Sequence, residues 1–377
     1  MAKRLLLTGV FVLLIFGVGL TQAGIELARG DTPQFLDLFR RAPSEAHLRD
    51  FEEDLEDASW FAERLRPWMQ YAQFAVLRDA GEYGLLGRDG WLFYRPGAEY
   101  LVEPWAPDSE DGDSVSAIVS FRDQLAALGI ELLVVPAPGK ASVYPDRLTR
   151  RAPAALPYVN VHTRTLMARL ADARVEVVDL QAVYAQASAA DSTLYLAQDT
   201  HWTPAGMRLA AQAVARRLLE LGWVEPGSVP YVLEPVELQR HGDIVRMMQM
   251  APLEERLAPE PIACARVVRR DTREPYQDDP SAPVLVLGDS FLRIYQRDEP
   301  GSAGFIAHLA HELSLPLASI VNDGGASTLV RQELSRRPKL LANKRVVVWE
   351  FVERDIRFGT EGWQDIRLRK PPPSPST

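Results

Sequence analysis

At 377 residues the chain is long enough for one large domain with insertions, or for a domain and a smaller companion. Its 47% hydrophobic and 25% charged residues are globular proportions, which excludes a disordered, collagen-like or polytopic membrane chain. A net charge of −9 argues against a sequence-independent nucleic-acid binder, and a single cysteine, Cys264, against a disulfide framework or a cysteine-built zinc site.

Lys3 and Arg4 precede an apolar run from Leu5 to Leu20, followed by Thr21, Gln22 and Ala23. Residues 1–25 therefore read as a cleaved signal peptide or as an uncleaved membrane anchor, with a buried core helix as the remaining alternative. On either of the first two readings the basic start stays inside and everything beyond residue 25 is exported. Residues 26–84 form a helical N-terminal segment. Within it, Leu48, Phe51, Leu55, Ala58, Phe61, Ala62 and Leu65 keep a helical period over 44–80, with Ser44 as N-cap. Pro67 should break or kink that helix. Residues 90–94 read as a short strand or turn-strand, and 103–114 as an acidic surface loop.

A helix–strand alternation follows. Helices are expected over 115–128 (stopped by Gly129), 158–170 and 203–221, the last with Thr203 as N-cap and Pro204 at its first position. Later helices are expected from about 290, over 302–313 and over 327–334. Apolar strands are expected at 131–135, 175–180, 283–287, 317–321 and 345–349. Residues 222–282 are Pro-rich and read as an insertion or a small β-rich excursion. Apolar strands between helices mark an α/β fold, a central, mostly parallel sheet covered on both faces. The tail over 359–377 ends in a Pro- and Ser-rich run unsuited to folding.

In an open parallel sheet, ligands bind at the carboxyl ends of the strands. There Gly288-Asp289-Ser290 offers a serine at the start of a helix, where backbone N–H groups can meet an oxyanion. A serine needs a base. Of the six histidines, His47, His162, His308 and His311 fall on helices, which leaves His201 and His241. Asp199 precedes His201 by two residues, a spacing that can put both side chains on one side of an extended segment. Each motif also fits a plain structural role, Ser290 as a helix cap above all. Lys140, Tyr144 and Arg293 are candidates for meeting a ligand, or else a surface charge, a core aromatic and a helix-face arginine. Trp202 and Trp91 could stack on a ligand ring, with core packing the commoner fate for Trp91. His241-Gly242-Asp243 with Arg246 reads as an ion pair inside the excursion or as a substrate contact.

In this order, Gly90-Trp91-Leu92-Phe93-Tyr94, Pro138-Gly139-Lys140 with Tyr144-Pro145, Asp199-Thr200-His201-Trp202, His241-Gly242-Asp243, Gly288-Asp289-Ser290-Phe291 and Trp349-Glu350-Phe351 with Glu353-Arg354 resemble the AlgJ/AlgX-type alginate O-acetyltransferases. That resemblance implies an SGNH-hydrolase-like three-layer sandwich over 85–358, with 222–282 inserted. It also implies a Ser290–His201–Asp199 triad that acetylates an exopolysaccharide in the periplasm. A membrane-bound O-acyltransferase would supply the acetyl groups, and the inner membrane would hold the N-terminal segment if it is uncleaved. Asn322, with Gly324 and Gly325, is the candidate for the family's oxyanion contact, and on the same resemblance Lys140, Tyr144 and Arg293 could meet polymer carboxylates while Trp202 and Trp91 could stack on sugar rings. No cofactor and no metal is expected. A carbohydrate acetylesterase on the same scaffold and a non-catalytic polysaccharide-binding assembly protein are the alternatives.

Overall fold

Strand residues point alternately to opposite faces, so strands apolar at every position must be covered on both sides. The computed structural model describes residues 2–40, 42, 44–103, 113–152, 160–187, 193–323, 325–358 and 362–369. The chain divides into two units, residues 1–81 with 249–256, and residues 82–248 with 257–377.

In the first unit an apolar helix of 23 residues, Leu7–Arg29, is long and apolar enough to cross a membrane, with a mean hydropathy of 2.0. Leu7, Phe11, Leu13 and Leu20 on it are exposed. Two further helices, Glu45–Asp57 and Trp60–Leu77, replace the single expected one. The break falls at Ser59, whose side chain accepts the Ala62 N–H and caps the second helix, and Pro67 lies inside that helix without ending it. A short helix, Ala251–Glu254, returns from the excursion to pack in this unit.

Among its described residues the second unit has nine strands: β1 (Gly84–Leu86), β2 (Leu92–Tyr94), β3 (Glu131–Ala137), β4 (Glu176–Val177), β5 (Tyr231–Arg240), β6 (Glu260–Arg269), β7 (Val284–Gly288), β8 (Ala318–Val321) and β9 (Val346–Val352). Five of them form a parallel sheet in the order β4-β3-β9-β7-β8. On one face Leu133, Val135, Val286 and Val348 pack under the helices Leu180–Ala187, Pro204–Glu220 and Phe305–Leu313. On the other, Leu132, Val134, Leu287, Val347 and Trp349 pack under Ser114–Ala126, Val161–Asp172 and Leu329–Arg336. The result is the expected three-layer sandwich, a parallel sheet between two layers of helices. Pairing of Ala137 with Val352 and of Gly288 with Val321 aligns the carboxyl ends of β3, β9, β7 and β8 along one rim.

Three expectations change. The strand expected over 175–180 shrinks to two residues at the sheet edge, because the Asp179 carboxylate accepts the Ala182 N–H and turns the chain into a helix. The helix expected from Ser290 is a single turn, Ser290–Arg293. The tail is folded over 362–369: Trp363 is buried against Trp349 and Phe351, Ser120 Oγ donates to Asp365 at 2.8 Å, and Leu368 N–H donates to Gln124 Oε1 at 2.7 Å. One indole anchors that segment, which a composition of Arg and Pro does not reveal. Residues 370–377 and the greater part of the expected loop, 104–112, lie outside the described residues. The excursion is an antiparallel ribbon of β5 and β6.

Candidate active site

Ser290 stands where β7 ends. Gly288 has no room for a side chain, since a Cβ there would lie 2.4 Å from both Glu350 Oε2 and Leu292 Cδ1. The Asp289 carboxylate accepts the Phe291 N–H at 2.8 Å and the Val352 N–H at 3.2 Å, which pins the helical turn to β9. Asp289 is therefore a cap and a tether. The Ser290 hydroxyl faces the histidine, with Oγ 2.9 Å from His201 Nε2.

The other half of the site sits on a tight loop closed by the Tyr195–Trp202 bridge. Asp199 is fully buried and takes four donors. Oδ1 accepts His201 Nδ1 at 2.6 Å and His201 N–H at 3.0 Å, while Oδ2 accepts Arg240 Nε and Asp243 N–H, each at 3.1 Å. The network assigns the imidazole proton to Nδ1 and leaves Nε2 to accept from the serine. A second carboxylate, Asp243 Oδ2, lies 3.3 Å from the same Nδ1. It also takes Thr200 Oγ1 at 2.5 Å, and Oδ1 takes Thr200 N–H at 2.7 Å.

Burial opposes charge on the imidazole, but Asp199 and then Asp243 outweigh it and push the His201 pKa up to about 9. For Asp199 burial works upward, and His201 and Arg240 overcome it to hold the carboxylate far below its usual range. Behind the serine, burial and then the Asp289 charge raise the Glu350 pKa well above the ordinary carboxylate value. Atoms of Asp199, His201 and Asp243 lie within 4.8 Å of one another, close enough to share a cation. The Arg240 guanidinium and the N–H donors already facing those carboxylates disfavour one.

The structure gives several expected substrate contacts other work. Lys140 is 5% exposed, and its ammonium donates to the carbonyls of Leu92, Ala197 and Asp199 at 2.5, 2.8 and 3.0 Å, with the Trp91 and Phe93 rings 5.0 and 5.1 Å away. All three donors are used, so it clamps the Asp199–His201 loop instead of meeting a polymer. Trp202 is fully buried between Phe291 and Phe305 and cannot stack on a sugar. Tyr144 packs on Trp91 at 4.8 Å, and its hydroxyl accepts the Leu194 N–H. Arg293 is matched by Asp298 at 2.7 Å and Asp323 at 2.9 Å and is no free cation. Asn322 lies beside the serine turn, its N–H donating to Gly288 O at 3.0 Å, while Gly324 falls outside the described residues. Burial and pairing of this kind depend on chain segments distant in sequence.

The excursion supplies what sequence reasoning missed. Arg240 ends β5, and Glu260, which opens β6, accepts the Ala197 and Gln198 N–H groups at 2.8 and 2.6 Å. Gly242 is needed because a Cβ there would lie 1.9 Å from Gln198 O. His241 and Arg246 are exposed, so of that motif Gly242 and Asp243 reach the triad. The one advance signal was the His-Gly-Asp motif itself. The Gly139 and Glu353 motifs are architectural: the buried Glu353 carboxylate gathers Gly139 N–H, Ser142 Oγ, Thr163 Oγ1 and Gln181 Nε2.

A family model described as the SGNH hydrolase-like domain of acetyltransferase AlgX matches residues 85–353. The probable alginate O-acetylase AlgJ of Azotobacter vinelandii is 29% identical over 279 residues, 72% of this chain and 69% of the relative. That of Pseudomonas putida is 29% identical over 316 residues, 79% and 77% of the two chains. Among solved structures, the O-acetyltransferase domain of Pseudomonas putida AlgJ superposes with a TM-score of 0.60 at 26% identity, covering 74% of this chain and 93% of that one. Pseudomonas aeruginosa AlgX, at 20% identity and a TM-score of 0.53 over 71% and 62% of the two chains, shares the fold.

Proposed function

We propose, from the premise that this chain belongs to the AlgX family of SGNH hydrolase-like acetyltransferases, that it O-acetylates an exopolysaccharide through an acetyl-Ser290 intermediate. The observation that carries the reading is the relay Ser290 Oγ–His201 Nε2 at 2.9 Å and His201 Nδ1–Asp199 Oδ1 at 2.6 Å. It lies at the rim where parallel sheets take their ligands. The alginate O-acetylase names of the relatives support a polysaccharide as acceptor.

In the first half-reaction His201 Nε2 takes the hydroxyl proton as Ser290 Oγ bonds to the acetyl carbonyl carbon. The bond to the donor's leaving group then breaks, and that group departs with the proton from Nε2. In the second, a sugar hydroxyl gives its proton to Nε2, its oxygen attacks the acetyl-serine, and Ser290 leaves with the proton restored. Backbone N–H groups around Ser290, with Asn322 beside them, are proposed to hold the tetrahedral oxyanion. Asp199 keeps the imidazole in the productive tautomer and balances its charge. A membrane-bound O-acyltransferase is the proposed acetyl source. The proposed location is the periplasm, with Leu7–Arg29 at the inner membrane if uncleaved; the length and apolar character of that helix support this.

Incubation with an activated acetyl ester, followed by mass spectrometry, tests the intermediate. One acetyl group should appear on the peptide 284–293 and be missing from the Ser290→Ala chain. A label elsewhere, or one that survives the substitution, would overturn the reading. Adding an acceptor oligosaccharide should yield acetylated sugar; free acetate alone would make the protein an esterase.

A further inference from the structure

The helix Trp60–Leu77 of the first unit is apolar on two faces, and its own unit covers one of them. Pro67, Gln70, Tyr71 and Phe74 share one side and are half-buried, with the Arg256 guanidinium over the Tyr71 ring at 4.8 Å. Leu65, Trp68, Met69, Ala72 and Val76 share the other side, at the spacing of neighbours on a helix. All five are exposed, Trp68 by 61%, Met69 by 62% and Val76 by 78%. No charged side chain falls within that stripe, and the exposed Arg64 and Arg66 flank it on either side.

The level at which this helix starts points to what covers the bare face. The apolar run of the first helix ends at Leu20, so Gln22 marks the depth where a hydrocarbon core gives way to headgroups. From there the Gln22 side chain holds the start of the second helix: its Nε2 donates to Ala58 O at 2.8 Å, and its Oε1 accepts the Trp60 N–H at 3.0 Å. The buried Glu26 carboxylate accepts Gln22 Nε2 at 2.9 Å and, on its other oxygen, the Gln34 N–H at 3.0 Å. Beyond Arg29 the chain therefore doubles back toward the end of the apolar run, and the short helix Gln34–Phe39 on that return leaves Phe35 and Phe39 exposed as well. A bare apolar face that carries a tryptophan, has arginines beside it and starts at headgroup depth suits a helix lying in the plane of a membrane.

We propose that Trp60–Leu77 lies on the lipid bilayer that the first helix crosses, with the face of Leu65, Trp68, Met69 and Val76 set into the headgroup–acyl boundary, so that the chain holds the membrane by a second, in-plane contact. The proposal takes the first helix as uncleaved and does not depend on the acetyl-transfer reading.

The full chain with Cys264→Ala, carrying one spin-labelled cysteine at a time, is placed in bilayer discs of phosphatidylethanolamine and phosphatidylglycerol. Labels on Met69→Cys and Val76→Cys should be open to oxygen and closed to a water-soluble nickel chelate, at a depth of about 5–10 Å. A label on Glu63→Cys, on the opposite side of the helix, should show the reverse. A second measurement needs no cysteine change: lipids brominated on their acyl chains should quench tryptophan emission of the unsubstituted chain. Trp60 and Trp68 are the two tryptophans of this unit, so Trp68→Phe should remove about half of that quenching or more. Nickel access at Met69→Cys and Val76→Cys equal to that at Glu63→Cys would put the face in water, and exclusion of both oxygen and nickel would put it against a second copy of the chain. Either result would overturn the proposal, as would quenching that is absent or that Trp68→Phe leaves unchanged.

Discussion

The pair of carboxylates on one imidazole nitrogen should be visible in the pH dependence of turnover. His201 Nδ1 has Asp199 Oδ1 at 2.6 Å and Asp243 Oδ2 at 3.3 Å, and its pKa stands at about 9 against an ordinary 6.5. A general base must be unprotonated, so activity is lost as pH falls through that value. Each unit is a factor of ten, which leaves roughly one molecule in a hundred competent at pH 7. Measured as kcat/KM for an activated acetyl ester between about pH 6 and 10, the profile should climb through neutrality and level off only above pH 9. Asp243→Asn keeps an acceptor for Thr200 N–H while removing one of the two charges. Loss of one neighbouring charge should lower the midpoint by about one unit and raise kcat/KM at pH 7 roughly tenfold, while the alkaline plateau falls only slightly. The same shift has a stability signature. A histidine whose folded pKa is raised stabilises the fold fully below its unfolded value and loses that contribution as pH rises through the folded one, here from about 6.5 to about 9. Asp243→Asn should therefore flatten the fall in melting temperature over that window. A midpoint near 6.5 in the unsubstituted protein, or one that Asp243→Asn leaves in place, would refute the role given to the second carboxylate.

Ser290→Ala should lower turnover by a factor of about 10⁴ to 10⁶, since members of a triad act as a unit, and a steady-state assay with the same ester checks it. Lys140→Met should strip three buried carbonyls of their donor and cost about 3 kcal/mol, read as a lower denaturant midpoint at unchanged m-value. Gly242→Ala must push the end of β5 away from Gln198 O, moving Asp243 off the triad loop. A displacement of that size should reduce kcat by about 10²-fold, with far-UV circular dichroism unchanged.

Much was legible along the chain because the relevant physics is local. Apolar strands separated by capped helices required a parallel sheet with two covered faces, and Thr203 and Pro204 start their helix where capping chemistry puts it. The Asp199-Thr200-His201 and Gly288-Asp289-Ser290 stretches were recognisable because a spacing of two and a glycine before a serine are short-range signals. Whether Lys140, Tyr144, Trp202 and Arg293 meet a ligand or serve packing and pairing was not legible, for the opposite reason. A lysine that satisfies three carbonyls from two distant segments looks, on paper, like any charge at a strand end.

From the amino acids in order came the layered architecture, the rim that could be active and the three side chains that could react there. Tertiary structure alone decided that an excursion some forty residues downstream folds back to set Arg240, Gly242 and Asp243 against the triad loop. Charge pairing and desolvation depend on distances through space, and a linear order of residues does not contain them.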